Sequence, residues 1–251
     1  MKTEKSNMYA QAETWNPFKG CGFDCAYCIP SFQRQAKRLK HKCQNCYKYQ
    51  PHQHPERLDK IPNSKIVFVC GNGDLCFCPP DYTRKILAAI ATHSRPDQVF
   101  YLQSKRPAYF RQFLPLPSNI ILVTTLETNR DDGYETVSKA PVPSVRFGQF
   151  MSLLHERKVV TIEPILQFDV PIFIQWIVEI KPEYIWIGWN SRPKSVQLTE
   201  PSREKFIEFI GELAKRGFKL LSKSLRGIEL PAPICQSEVA NDCRGGVVKG
   251  D

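Results

Sequence analysis

No apolar run in this 251-residue chain approaches the ~18 residues that a membrane-spanning helix needs. The opening residues, Met-Lys-Thr-Glu-Lys-Ser, lack the apolar stretch of a secretory leader. Together these absences give the expectation of a cytoplasmic chain with no membrane partner. There is no internal repeat, no low-complexity tract and no linker. One domain over 1–251 is therefore expected, with its core at about 8–225 and a loose tail over 226–251, where Pro231, Pro233, Gly245 and Gly246 fall. Negative charge is scarce: 25 Asp and Glu stand against 35 Lys and Arg, a net charge of +10. That balance favours polyanionic partners, nucleic acid first. Ten cysteines in a cytosolic chain point to metal or redox chemistry rather than disulfides.

Three of those cysteines, Cys21, Cys25 and Cys28, are spaced C-x3-C-x2-C. Thiolates packed this closely can hold three irons of a 4Fe–4S cluster, leaving one corner iron without a protein ligand. An open iron is where a small molecule can bind, as at catalytic metal sites that keep one position free. Tyr27 would lie beside such a cluster. The alternatives are a zinc knuckle or plain buried thiols, although zinc sites usually show paired C-x2-C units rather than a compact trio. Cys43 and Cys46 form a separate C-x2-C pair, followed by His52 and His54, with Cys76 and Cys78 further on. Cys43, Cys46 and two of these four could close a second metal site, zinc or an auxiliary cluster, with Cys76 and Cys78 the expected partners.

Apolar, β-branched runs at 65–70, 98–103, 120–125, 158–163 and 184–188 read as strands buried on both faces. Residues 8–15 read as an extended first strand and 218–223 as a short last one. Helices are expected at 26–40, from Pro79-Pro80 onward with Ile86, Leu87, Ala89 and Ile90 inward, at 144–156, and from an Asp169 cap to about Ile180. Another carries Phe206, Phe209, Ile210 and Leu213 at i, i+3, i+4, i+7 and stops at Gly217. Strand–helix alternation of this kind means parallel strands with helical crossovers. The expected fold is α/β, a partial (β/α)6-type TIM barrel with a candidate seventh strand, and its chemistry belongs at the C-terminal strand ends.

Polar groups at those ends are the remaining site candidates. In Gly71-Asn72-Gly73-Asp74 the glycines would let backbone approach a ligand, and Asp74 could accept from an ammonium group. Ser104, Lys105, Glu127 and Glu163 follow later strands and could bind ligand, or serve only as caps and rim residues. Of Trp186 and Trp189, one is expected in the core and the other free to stack on a base. Arg34, Lys37, Arg38 and Lys40, with Arg106, Arg111 and Arg130, are candidate phosphate contacts.

The cysteine spacing resembles the signature of the radical S-adenosylmethionine (radical SAM) superfamily. That resemblance implies that the open iron chelates SAM, that Gly71–Asp74 receives its amino group, and that Gly188 packs its adenine. It also implies an electron donor of the flavodoxin or ferredoxin kind. Thr14-Trp-Asn-Pro17, His54-Pro-Glu-Arg-Leu58, Ser104-Lys-Arg-Pro107 and Glu163-Pro-Ile-Leu166 are similar to a phage- and prokaryote-encoded radical SAM-like family of unknown function, over about 8–225. Its nearest understood relatives resemble spore photoproduct lyase, which acts on thymine in DNA. The Cys43–Cys46 pair and the segment Thr-Leu-Glu-Thr-Asn depart from that family's pattern. The implied activity is reductive SAM cleavage and modification or repair of a nucleic acid base or nucleotide. The alternatives are a radical SAM enzyme acting on a peptide or small metabolite, and a non-enzymatic, zinc-stabilised nucleic-acid-binding module.

Overall fold

A computed structural model describes residues 12–222 and 225–231. In chain order it shows β1 (Ala12–Trp15), β2 (Phe18–Lys19), helical turns over 29–39 that include α1 (Arg34–Ala36), α2 (Gln44–Lys48), β3 (His52–Gln53) and β4 (Ile66–Val69). Then come α3 (Pro80–His93), β5 (Val99–Gln103), a 3-10 segment at Pro107–Phe113, β6 (Ile120–Thr125), α4 (Pro143–Met151) and β7 (Lys158–Ile162). The chain finishes with α5 (Val170–Ile180), β8 (Tyr184–Ile187), α6 (Arg203–Lys215) and β9 (Leu220–Ser222).

Seven strands form one curled, half-barrel sheet in the order β1-β4-β5-β6-β7-β8-β9, and every neighbouring pair is parallel. The expected partial (β/α) barrel is present, including the seventh strand. β6 and β7 are buried at every residue, which is why they read as continuous apolar runs instead of alternating ones. Outside the sheet, β2 and β3 pair antiparallel.

The helices follow local chemistry. α6 starts where the Ser202 side chain accepts from Lys205 N, and it buries Phe206, Phe209, Ile210 and Leu213. Gly217, at φ +80°, supplies the left-handed turn beyond its end. α5 and α6 pack through Phe173 and Phe209, whose rings stack 5.1 Å apart. α3 turns Tyr82, Thr83, Ile86 and Ile90 inward, and the expected Leu87 and Ala89 are only partly buried.

Three expectations are corrected. The helix at 26–40 is a π-turn over Ile29–Gln33, then α1, then a 3-10 turn. The amides of Ser31 and Gln33 both donate to the Cys28 carbonyl at 3.1 Å, which overwinds and underwinds the same stretch. α4 ends at Met151, five residues early, where Lys158 Nζ donates to its carbonyl at 3.1 Å. Asp169 occupies the cap position of α5 but makes no side-chain cap bond, because its carboxylate pairs with Arg130. The expected start at 8–11 and the tail at 232–251 lie outside the described residues. Where the described residues resume, Arg226 bonds both Glu200 oxygens at 2.7 and 2.9 Å and the Asn190 carbonyl at 3.0 Å.

Candidate functional site

Parallel strands put all their C-terminal ends on one edge, so the segments after them meet there. They enclose a cavity of about 510 Å3, within the range of ordinary small-ligand sites. Cys21, Cys25 and Cys28 all line it. Gly71, Asn72, Gly73 and Asp74 line it after β4, Lys105 after β5 and Glu163 after β7.

The cysteine loop is stitched to the turn after β4. Gly20 N donates to the Asn72 carbonyl at 3.0 Å, Asp74 N donates to the Gly20 carbonyl at 3.2 Å, and Asn16 Oδ1 accepts from Asn72 N at 3.1 Å. Gly20 has φ +91°, and a Cβ there would lie 2.1 Å from the Gln50 carbonyl oxygen. Only glycine fits. The glycines of the turn have an equally internal reason. A Cβ on Gly71 would meet the Phe68 ring at 2.5 Å, and one on Gly73 would meet the Gly20 carbonyl at 2.6 Å. Close packing within the chain by itself requires them.

Glu127 is the electrostatic hub behind the cavity. It is fully buried, with Lys105 Nζ 2.5 Å from Oε1 and Arg146 Nη2 2.8 Å from Oε2. Tyr134 O–H donates to it at 3.1 Å, and Tyr27 O–H donates as well. Burial pushes this carboxyl up, but Arg146 and Lys105 outweigh burial and hold it well below the usual range. Burial likewise opposes the charge on Lys105, and Glu127 keeps it protonated. Two cations facing one carboxylate leave a surplus positive charge. Cys25 Sγ, 3.3 Å from Lys105 Nζ, is placed to match it. Its thiol is lowered first by a hydrogen bond from Cys28 and then, against burial, by Lys105 and by Ser138, whose Oγ is 3.1 Å away. Cys28, the donor of that pair, is raised, and burial raises Cys21.

The expected site residues therefore divide. Cys21, Cys25, Cys28, Tyr27, Gly71, Asn72, Gly73, Asp74, Lys105 and Glu163 share the cavity. Ser104, Glu127 and Gly188 do not line it. Ser104 is buried and donates to Asp74 Oδ1 at 2.7 Å, and Glu127 is enclosed by its cations. A Cβ on Gly188 would sit 3.3 Å from the Glu163 side chain, so the glycine makes room for that carboxylate. Asp74 is already committed: its oxygens accept from Cys76 N at 3.0 Å, Ser104 Oγ and Lys105 N at 2.9 Å. Glu163 accepts from Trp186 Nε1 at 2.6 Å. Trp189 lines the cavity under Arg226, whose guanidinium is 4.9 Å from its ring.

Sequence reasoning missed Tyr134, Ser138 and Arg146. Arg146 had a signal: it sits one helical turn before the buried Phe150, on the inward face of α4, where a charge must find a partner. The second metal set is corrected. Cys76 and Cys78 lie across the short 3-10 turn after β4, away from the pair at 43 and 46. Cys43, Cys46, His52 and His54 converge instead, and this group could hold a metal ion. Among the described residues no helix is long and apolar enough to cross a membrane. No family model matches the chain, and no curated protein matches it.

Proposed function

We propose that this chain is a radical SAM enzyme in which Cys21, Cys25 and Cys28 hold a 4Fe–4S cluster and SAM fills the neighbouring cavity. The observation that carries this reading is that all three cysteines line one cavity at the C-terminal edge of a parallel half-barrel. The donor set suits the cluster: three thiols on one loop, one of them drawn toward thiolate by a hydrogen bond from Cys28 and by a buried lysine. When bound, the group supplies a single electron that converts SAM to methionine and a hydrogen-abstracting 5′-deoxyadenosyl radical.

The chain's own residues bind, orient and exclude water. Lys105, held protonated by Glu127, keeps Cys25 ready to ligate. Glu163, fixed through Trp186, offers a carboxylate to an ammonium or hydroxyl group in the cavity. Phe23, Tyr27 and Tyr49 wall off the thiols on the apolar side.

A nucleic acid or nucleotide is the substrate class best supported. Between residues 25 and 55 there is no Asp or Glu. Arg34, Lys37, Arg38, Lys40, Lys42 and Lys48 in that stretch are all exposed. Phe32, Gln33 and Gln35 beside them line the cavity, so the basic strip runs to its mouth. Arg130 drops out, since Asp169 neutralises it. A base in a duplex must leave the stack to reach the cavity. The electron comes from a flavodoxin- or ferredoxin-like donor.

Anaerobic reconstitution with iron and sulfide, reduction and addition of SAM test the reading. The expected result is 5′-deoxyadenosine from the intact chain and only background from Cys25→Ala. A cluster-loaded protein that binds no SAM overturns it.

A further inference from the structure

Cys43, Cys46, His52 and His54 stand outside the cavity and take no part in the chemistry above. Their ligand atoms all lie within 4.8 Å of one another. Cys43 Sγ is 3.4 Å from His52 Nε2, and Cys46 Sγ is 3.3 Å from both His52 Nε2 and His54 Nε2. A tetrahedral zinc ion with Zn–S of about 2.3 Å and Zn–N of about 2.0–2.1 Å sets its sulfur and nitrogen ligands about 3.5 Å apart. The ligand shell thus already has the dimensions of one ion.

The groups behind these ligands point the same way. His52 Nδ1 meets the Gln50 carbonyl at 2.7 Å, and His54 Nδ1 meets Glu56 Oε1 at 2.9 Å. Each ring is fixed by an acceptor on one nitrogen and turns the other toward the sulfurs, the usual arrangement around a metal. Cys46 N also donates to Cys43 Sγ at 3.4 Å. Cys46 touches both histidines, so sulfur and nitrogen interleave around a single point. A two-iron centre with mixed ligands would separate the cysteine pair from the histidine pair.

The segment needs such a staple. Of residues 34–54, only Ala36, Cys46 and His54 are buried, and two of those three are the proposed ligands. There is no hydrophobic core to hold it. Yet its backbone supports the cysteine loop: Cys21 N donates to the Tyr49 carbonyl at 3.3 Å, and Gly20 packs on Gln50.

We propose that Cys43, Cys46, His52 and His54 form a closed, structural zinc site that fixes the basic segment 34–54 against the mouth of the half-barrel. Two thiolates balance the ion's charge, and four protein ligands leave no position for substrate. The proposal stands whether or not the first three cysteines hold a cluster.

The test is the metal content of the purified full chain and of a Cys21→Ala/Cys25→Ala/Cys28→Ala variant. About one zinc per chain is expected in both, and none in Cys46→Ser/His54→Ala. Absence of zinc from the triple variant, iron in its place, or zinc retained by Cys46→Ser/His54→Ala overturns the site. Should that last variant fail to fold, cobalt(II) substitution of the triple variant decides: a tetrahedral site with thiolate ligands gives intense d–d bands with thiolate charge transfer, and their absence overturns the site. The structural role is read by trypsin. Stripping zinc is expected to speed cleavage within 34–48 on the order of tenfold or more, and an unchanged rate removes that role.

Discussion

Glu127 shows what a single buried residue can govern. Its carboxylate has no exposure and faces Lys105 and Arg146. Glu127→Gln keeps the volume but leaves both cations buried without a counter-charge. The expected loss is about 3–5 kcal/mol in urea unfolding, partly recovered in Glu127→Gln/Arg146→Met. The pH dependence follows in sign. A carboxyl held below its ordinary value of 4.5 contributes stability fully above that value and loses it as pH falls toward the folded-state value. The unfolding midpoint of the intact chain should decline below about pH 4.5 more steeply than that of Glu127→Gln. The sequence marked Glu127 as a strand-end carboxylate but could not show that it faces inward. Its partners lie 7 to 100 residues away along the chain, and no local pattern encodes such pairings.

At the scale of elements, legibility followed burial. β6 and β7 are apolar on both faces and were readable to within a residue. Segment 26–40 was not, because a shared carbonyl acceptor, rather than side-chain periodicity, decides its winding. The second metal group was half legible. The C-x2-C pair announced itself, but the choice between two histidines and two later cysteines depends on β3, a two-residue strand that brings His52 beside Lys19 of β2. Gly20 is where the elements bear on each other. Gly20→Ala forces both a left-handed backbone and a Cβ into the Gln50 carbonyl. It should cost about 1–3 kcal/mol or more in thermal unfolding, whereas an alanine at Gly211, whose Cβ meets nothing, should be neutral or stabilising.

Over the whole molecule, charge is distributed unevenly: the acid-free segment 25–55 lies at the cavity mouth. If it carries a nucleic acid, affinity for a labelled oligonucleotide should fall steeply with salt. Replacing Arg38, Lys40 and Lys42 by alanine should make the slope of log K against log salt shallower by roughly 2–3, about 0.7–0.9 for each lost phosphate contact. An unchanged slope removes this strip from the interface. The sequence revealed the charge excess and the fold class together, since both are sums over many residues. It could not reveal which arginines were already spent, as Arg130 is on Asp169.

The contacts that enclose the cysteine loop also set an order of events during synthesis. Cys25 waits for Ser138, 113 residues downstream, and Tyr27 waits for Glu127, 100 residues downstream. At about 5–20 residues per second, a ribosome needs roughly 6–23 s to cover the longer gap. Throughout that interval the three thiols are in the open, before the walls that will shelter them have been made. Oxidation and stray metal capture compete in that window with the cluster insertion that the proposed function requires, before the finished cavity exists.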